Sequence, residues 1–151
     1  MRFATATVVG ADLEAVWALH DDLGGIVELA PDWLDAEVHV LEGRATPLAA
    51  GTRFEIALRP AGIALPATWR GRIAAVRRAP RRRSFVDVGV ATPFRRWRHR
   101  HVVRVVDGGT QVADVIDLET LRGTGPLVRI GLALAFRDRH RRLRDRFGPP
   151  R

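Results

Sequence analysis

The chain has 151 residues and a formal charge of +8, and 46% of its residues are hydrophobic against 28% charged. These values are typical of one globular domain over residues 1–151, and the absence of cysteine excludes disulfide bonds, thiolate metal sites and a cysteine nucleophile. No apolar run approaches the roughly 18 residues of a membrane span, and the first residues lack a signal-peptide core, so we expect a cytoplasmic protein.

The first third of the chain predicts one strand followed by two short helices. Residues 3–9 are rich in β-branched side chains, which favour a strand. Asp12 is suited to cap a helix that the Gly-Gly pair at 24–25 should end. A second helix, over residues 26–29, must stop before Pro31 because the residue that precedes a proline is pushed out of the α region.

The middle of the chain predicts strands only, and the end predicts one long helix. The Asp-Gly pair at 107–108 is typical of a two-residue hairpin turn, in which both positions favour a positive φ. Pro126 suits the first turn of the terminal helix, which should end near Phe147. This order of elements indicates an α+β fold whose sheet buries one face against the helix. Alternating and β-branched residues mark the six further strands at 37–41, 52–58, 69–76, 84–90, 95–106 and 110–121.

The last two strands should pair through the turn at 107–108. That register places Arg98 opposite Asp117 on the outer face, where opposite charges favour each other. It places His101 opposite Asp114 on an inner face that is apolar apart from these two residues and His99. A slip of one residue would move every side chain to the wrong face, so the pairing is well specified.

Three interpretations of the inner polar residues stay open. They could form a satisfied buried network that helps to specify the sheet. They could recognise a ligand or perform acid–base catalysis, with His101 as the catalytic group, Asp114 orienting it, and His99 and Asp87 assisting. They could bind a metal, since His99 and His101 share one face of a strand and Asp114 offers a third ligand. Because no fourth ligand is evident, we expect no metal and no cofactor.

The terminal helix has one stripe that should lie on the sheet and a first half that is apolar almost all round. Leu127, Ile130 and Leu134 lie nearly opposite the stripe. An apolar patch of this kind indicates either the mouth of a cavity or a contact in a homodimer. The stripe consists of Val128, Leu132, Phe136, His140, Leu143 and Phe147.

Segments spread over nearly the whole chain resemble a known superfamily. The most specific is Trp97-Arg98-His99-Arg100-His101, which follows FVD at 85–87 and PF at 93–94. Together they resemble the START-like or SRPBCC superfamily, which includes polyketide cyclase/dehydrase and ligand-binding proteins, and are closest to a bacterial group within it. The other segments are LAPDWL at 29–34, GT at 51–52, LPATW at 65–69, GT at 109–110 and FRDRH at 136–140.

The resemblance implies a helix-grip fold. In that fold a curved, seven-stranded antiparallel sheet wraps around the long C-terminal helix, and two short helices lie between the first and second strands. The space between sheet and helix is a cavity for lipids, polyketides or quinone-like molecules.

We therefore expect the chain to bind a small hydrophobic or aromatic molecule in an internal cavity. The alternative is a cyclase- or dehydratase-type enzyme that uses the His/Asp cluster at the floor of the cavity. The expected ligand-binding residues are Trp33, Phe54, Trp69, Phe85, Trp97, His99, His101, Asp114, Leu132 and Phe136.

The arginine-rich surface supports a third hypothesis, a nucleic-acid or protein-interaction module. All 25 basic residues are arginine, which points to a coding bias in the genome rather than to a selected surface. The basic residues also lack interleaved exposed aromatic side chains for base stacking. We expect neither a nucleic-acid partner nor a membrane span.

Overall fold

The computed structural model describes residues 1–59, 62–63, 69–91 and 94–151, with the side chains of residues 90 and 91 excepted. Residues 65–68 and 92–93, which belong to the resembling segments and to the predicted turn before the sixth strand, lie outside the described residues. In chain order the described strands are β1 (Arg2–Val9), β2 (Ala36–Glu42), β3 (Arg53–Leu58), β4 (Trp69–Ala79), β5 (Arg82–Ala91), β6 (Arg96–Val106) and β7 (Gly109–Glu119), and the helices are α1 (Leu13–His20), α2 (Leu23–Glu28) and α3 (Gly125–Phe147).

The seven strands form one antiparallel sheet in the order β1-β7-β6-β5-β4-β3-β2. Both short helices lie between β1 and β2, and α3 packs against β1. The predicted α+β helix-grip fold is confirmed. No helix in the described part of the chain is long and apolar enough to cross a membrane.

The two short helices correct one sequence prediction. Helix α1 begins as expected, since Oδ1 of Asp12 accepts a 2.8 Å hydrogen bond from the backbone N–H of Ala15. The Gly-Gly pair, however, does not separate the helices: it lies inside α2, which Asp22 caps. The reason is close packing, because a Cβ on Gly25 would stand 2.2 Å from the carbonyl oxygen of Leu19. The glycine therefore lets α2 pack directly on the end of α1.

The β6–β7 hairpin has the predicted register. His101 lies opposite Asp114, and Arg98 lies opposite Asp117. The turn itself differs from the prediction, since the positive φ angles belong to Gly108 (81°) and Gly109 (144°) and not to Asp107. The two positive φ angles thus lie one residue later than we had expected, at two glycines, which adopt such angles at little cost.

The core has two parts on the concave side of the sheet. The larger part packs α1 and α2 against the sheet and includes Trp17, Phe85 and Leu143. The smaller part packs the first half of α3 against the sheet around Trp97 and Phe136.

Helix α3 lies on the sheet along the predicted stripe. Phe136, His140 and Leu143 are buried, and Val128 and Leu132 are half-buried. The stripe also includes Arg139, which is buried although we had not predicted it. On the opposite side Leu127, Ile130 and Leu134 are 74%, 59% and 56% exposed.

Candidate functional site

A cavity of about 210 Å³ lies between the concave face of the sheet, α2, the segment that follows α2, and α3. Its wall is mainly apolar. Four polar residues interrupt it on one side, where β5, β6 and α3 meet: Asp87, His99, His101 and Arg139. The apolar wall consists of Leu23, Ile26, Val27, Leu29, Ala30, Pro31, Leu34, Ala36, Val38, Phe54, Ile56, Leu58, Trp69, Ile73, Phe85, Trp97, Ala135 and Phe136.

Strand geometry explains why the aromatic and imidazole side chains share this wall. Successive side chains on a strand point to opposite faces, so Trp97, His99 and His101 all point inward from β6. Asp87 on β5 lies opposite His99, and Phe85 lies opposite His101. Asp87 therefore points inward, like His99 opposite it.

Seven of the ten expected ligand-binding residues line the cavity, and Trp33, Asp114 and Leu132 do not. The seven are Phe54, Trp69, Phe85, Trp97, His99, His101 and Phe136.

Trp33 corrects the expectation most clearly. It lies in the single 3-10 turn Asp32–Leu34 and is 51% exposed. Its neighbours Pro31 and Leu34 line the cavity, whereas Trp33 is absent from the wall. One turn of helix presents its side chains in different directions, and here the indole points away from the cavity.

The other two residues lie one layer behind the wall. Asp114 is fully buried, and it contacts wall residues such as His99 and Arg139 without lining the cavity itself. Leu132 is half-buried and packs against the cluster of Trp97 and Phe136. Both residues support the wall rather than form it.

Asp87 holds together the part of the polar cluster that faces the cavity. Its Oδ1 accepts a 3.0 Å hydrogen bond from Nε1 of Trp97. Its Oδ2 lies 3.0 Å from Nε2 of His101 and 3.7 Å from Nδ1 of His99. Burial alone would raise the pKa of Asp87, but the hydrogen bond from His101 and the charges of both histidines lower that pKa below its ordinary value. Asp87 is therefore a carboxylate at neutral pH.

Asp114 is the centre of the deeper part of the cluster. Its Oδ1 lies 2.9 Å from Nε2 of His99, and its Oδ2 lies 3.1 Å from Nε2 of His140. Nε of Arg139 stands 3.6 Å from the same Oδ2. Burial would raise the pKa of Asp114, but the charge of Arg139 and hydrogen bonds from the histidines hold that pKa well below its ordinary value. Asp114 is therefore a buried carboxylate with several partners.

The two histidines on the wall differ from the predicted arrangement. We had expected Asp114 to orient His101. The carboxylate in hydrogen-bonding geometry with His101 is Asp87, while Nδ1 of His101 lies 3.2 Å from Oδ1 of Asp114 without such geometry. Burial and the neighbouring His101 lower the pKa of His99, and the nearby carboxylates only partly oppose this shift. The His99 imidazole is therefore neutral near pH 7.

Arg139 is the residue at this site that our reading of the sequence missed. It follows Leu132 by seven positions and Phe136 by three, which is the spacing of the buried stripe. Its Nη1 donates a 3.3 Å hydrogen bond to the carbonyl oxygen of Ile26, and its Nη2 lies 3.4 Å from Nε2 of His20. The signal was therefore present in the spacing.

Behind Arg139, His20 has a fixed tautomer. Nδ1 of His20 donates a 2.8 Å hydrogen bond to the carbonyl oxygen of Val16, so its Nε2 is the acceptor that faces Arg139. Complete burial and the charge of Arg139 lower the pKa of His20 to about 3. His20 is thus neutral in the folded chain at all ordinary pH values.

Because His20 is neutral in the folded chain, we expect the chain to lose stability at acidic pH. The unfolded chain binds a proton at His20 near pH 6.5, whereas the folded chain does so only near pH 3. Because the folded state has the lower pKa, the free energy of unfolding is highest above pH 6.5. It decreases as the pH falls from 6.5 towards 3. The slope is about 1.4 kcal/mol per pH unit for one proton.

In His20→Gln the free energy of unfolding should depend less steeply on pH, because about one proton fewer is taken up on unfolding. A glutamine amide can donate to Val16 and accept from Arg139 without titrating. Urea unfolding at several pH values between about 7 and 4.5 measures the slope. The control is His39→Gln, since His39 is exposed and outside the core. Equal slopes in all three proteins would contradict the neutral buried state of His20.

Comparison with known proteins identifies a family and shows the fold. Residues 7–147 match the family model described as "Domain of unknown function (DUF8410)". No curated protein matches the chain. A solved START superfamily protein from Mycobacterium smegmatis is 14% identical at a TM-score of 0.69, and the match covers 97% of this chain and 96% of that one.

Two further solved structures show the same fold. Protein CV1439 from Chromobacterium violaceum is 14% identical at a TM-score of 0.64, over 98% of this chain and 97% of that one. The protein Ara h 8.0201 is 13% identical at a TM-score of 0.60, over 93% of this chain and 95% of that one. The predicted START-like fold is confirmed by these similarities, which at such identities concern the fold alone.

Proposed function

The chain belongs to the DUF8410 family, and from its cavity we propose that it binds a small hydrophobic or aromatic molecule between the sheet and α3. One observation carries this proposal: a cavity with a mainly apolar wall and its polar groups confined to one side. Small-molecule sites are typically built in this way, with apolar walls for affinity and a few polar groups for orientation.

The volume and the wall indicate the kind of ligand. A cavity of about 210 Å³ is smaller than the roughly 300–1,000 Å³ of sites for drug-sized molecules, so the ligand is small. Trp69 and Trp97 meet edge to face with ring centroids 4.6 Å apart, and Phe94 stacks on Trp97 at 5.5 Å. These rings favour an aromatic or flat apolar body. The imidazoles and Arg139 suit one polar group at its end.

The test is a thermal-shift screen of the wild-type chain and Ala135→Trp against lipids, quinones and aromatic polyketides. Ala135 lines the cavity, so an indole at this position should fill the ligand's space. A ligand at about 100 times its Kd should stabilise the wild-type chain by about 2.7 kcal/mol and the variant hardly at all.

Ala133→Trp is the matched control, because Ala133 lies on the same helix, is exposed and does not line the cavity. It should respond to the ligand like the wild-type chain. The proposal would be contradicted if no class of molecule stabilised the wild-type chain. It would also be contradicted if a ligand stabilised Ala135→Trp as much as the wild-type chain.

Acid–base catalysis is the second candidate function, and the pair of His101 and Asp87 on the cavity wall favours it. An imidazole 3.0 Å from a carboxylate is a suitable proton donor or acceptor for a cyclase or dehydratase reaction. Once a ligand is identified, mass spectrometry of the incubated ligand detects conversion. Unchanged turnover in His101→Gln and in Asp87→Asn would exclude this function.

Two expectations from the sequence stay predictions. The first is a homodimer through the apolar side of α3 around Leu127, Ile130 and Leu134. The second is a cytoplasmic location.

A further inference from the structure

The side chains of Asp87, His99 and His101 meet on the cavity wall in an arrangement that suits a metal ion. Each offers one ligand atom, and these atoms all lie within 4.8 Å of one another. All three residues line the cavity. We propose that they form a binding site for one divalent transition-metal ion of the imidazole-binding class, such as Zn²⁺, with an open coordination position facing the cavity.

The distances fit a shared ion. Ligand atoms that bind Zn²⁺ tetrahedrally at about 2.0–2.2 Å stand about 3.3–3.5 Å apart. Oδ2 of Asp87 lies 3.0 Å from Nε2 of His101 and 3.7 Å from Nδ1 of His99, on either side of that value. Shifts of a few tenths of an ångström would bring both of these distances to the tetrahedral value, and the two imidazole ligand atoms lie within 4.8 Å of each other.

The outer contacts are the stronger argument, because Asp87 and His99 are each held through the polar atom that does not face the ion. Trp97 donates to Oδ1 of Asp87, which leaves Oδ2 for an ion. Nε2 of His99 lies 2.9 Å from Oδ1 of Asp114, which leaves Nδ1. Carboxylates behind metal-binding histidines commonly fix their tautomer and orientation in this way. Asp114 is suited to this role for His99.

The surroundings of His101 also place Asp114 behind a metal-binding histidine. Its Nδ1 is buried and lacks a hydrogen-bonding partner, yet it lies only 3.2 Å from Oδ1 of Asp114. Buried polar atoms are rarely left unpaired. Coordination through Nε2 would keep the proton on Nδ1, next to the carboxylate that can accept it. One aspartate would then orient both metal-binding histidines.

The charges of the cluster also favour a cation. Asp87 and Asp114 are two buried carboxylates, and Arg139 is the buried guanidinium beside them. These three groups sum to one negative charge, and an unpaired charge is costly in a buried site. This negative excess therefore attracts a cation.

The structure changes the ligand set that the sequence suggested. We had considered Asp114 as the third ligand and had expected no metal because a fourth group was missing. Asp87 takes the place of Asp114, which stands behind both histidines. Sites that act on substrates keep one position open, so three protein ligands facing a cavity are sufficient. This site does not depend on the binding of an apolar molecule.

The test is Zn²⁺ binding to the full chain, measured by calorimetry and by metal analysis after dialysis. We expect about one ion per chain. Because loss of an outer contact typically weakens binding 10- to 100-fold, Asp87→Asn, His99→Gln and His101→Gln should each weaken it by more than about 100-fold. The control is His39→Gln, since His39 and Glu37 form an exposed pair that could also attract Zn²⁺. It should leave the affinity unchanged.

A second measurement needs no variant, in case a buried substitution unfolds the chain. Nitrogen NMR of the imidazole rings of the wild-type chain should show that Zn²⁺ coordinates Nδ1 of His99 and Nε2 of His101. The proposal would be overturned if the chain bound no Zn²⁺ or if all three folded variants kept the wild-type affinity. It would also be overturned if His39→Gln lost binding or if the ring signals changed only at His39.

Discussion

Asp114→Ala should lower the free energy of unfolding by about 3–5 kcal/mol, the cost of removing one partner of a buried ion pair. Asp114 is fully buried and contacts His99, His140 and Arg139. Its removal leaves the guanidinium of Arg139 in the core without its carboxylate. Urea unfolding monitored by circular dichroism measures the loss.

Asp117→Ala is the matched control on the same strand. Asp117 is on the opposite face, its side chain is 41% exposed, and its contact with Arg2 is 4.0 Å long. A surface pair of this kind contributes no more than about 1 kcal/mol. If the two variants lost equal stability, the description of Asp114 as the centre of a buried charge cluster would be wrong.

Phe136→Ala should cost about 3–5 kcal/mol and also enlarge the cavity. The Phe136 ring lies between Phe3, at 5.5 Å between centroids, and His99, at 5.4 Å, and it forms part of the cavity wall. Truncation removes these contacts and opens space beside the imidazoles. The variant should therefore bind larger ligands than the wild-type chain does, a change that the same thermal-shift screen detects.

Leu134→Ala is the control for this variant, since Leu134 is two residues away on α3 and is 56% exposed. Its stability should stay within about 0.5 kcal/mol of the wild-type value, with an unchanged ligand preference. If Phe136→Ala were as stable as this control, the Phe136 ring would not pack α3 against the sheet.

The parts of the site that lie on regular strands could be predicted from the sequence. The turn at 107–108 sets the register of β6 and β7, and the alternation of strand side chains then places His99 and His101 inward. The same two rules predicted that Trp97 shares their face. No long-range information was needed for these positions.

The remaining parts depend on tertiary geometry. Trp33 lies in an irregular turn, where no periodicity indicates which side chain points inward. The partner of His101 depends on how β5 is aligned with β6, and the sequence between these two strands does not predict that alignment. The spacing of Arg139 matches the buried stripe of α3. Arginine is so rarely buried, however, that its residue type did not favour a buried position. Its burial requires Asp114 on another element.

A small apolar ligand in the cavity would lie beside Trp69 and Trp97, so the indole N–H signals of the four tryptophans report most directly on whether the ligand binds there. A ¹H–¹⁵N spectrum recorded with and without a ligand from the screen should show the largest shifts at Trp69 and Trp97, which line the cavity, and little change at the exposed Trp33. If saturating ligand moved only Trp33, or left all four indole signals in place, the ligand would not be bound in this cavity.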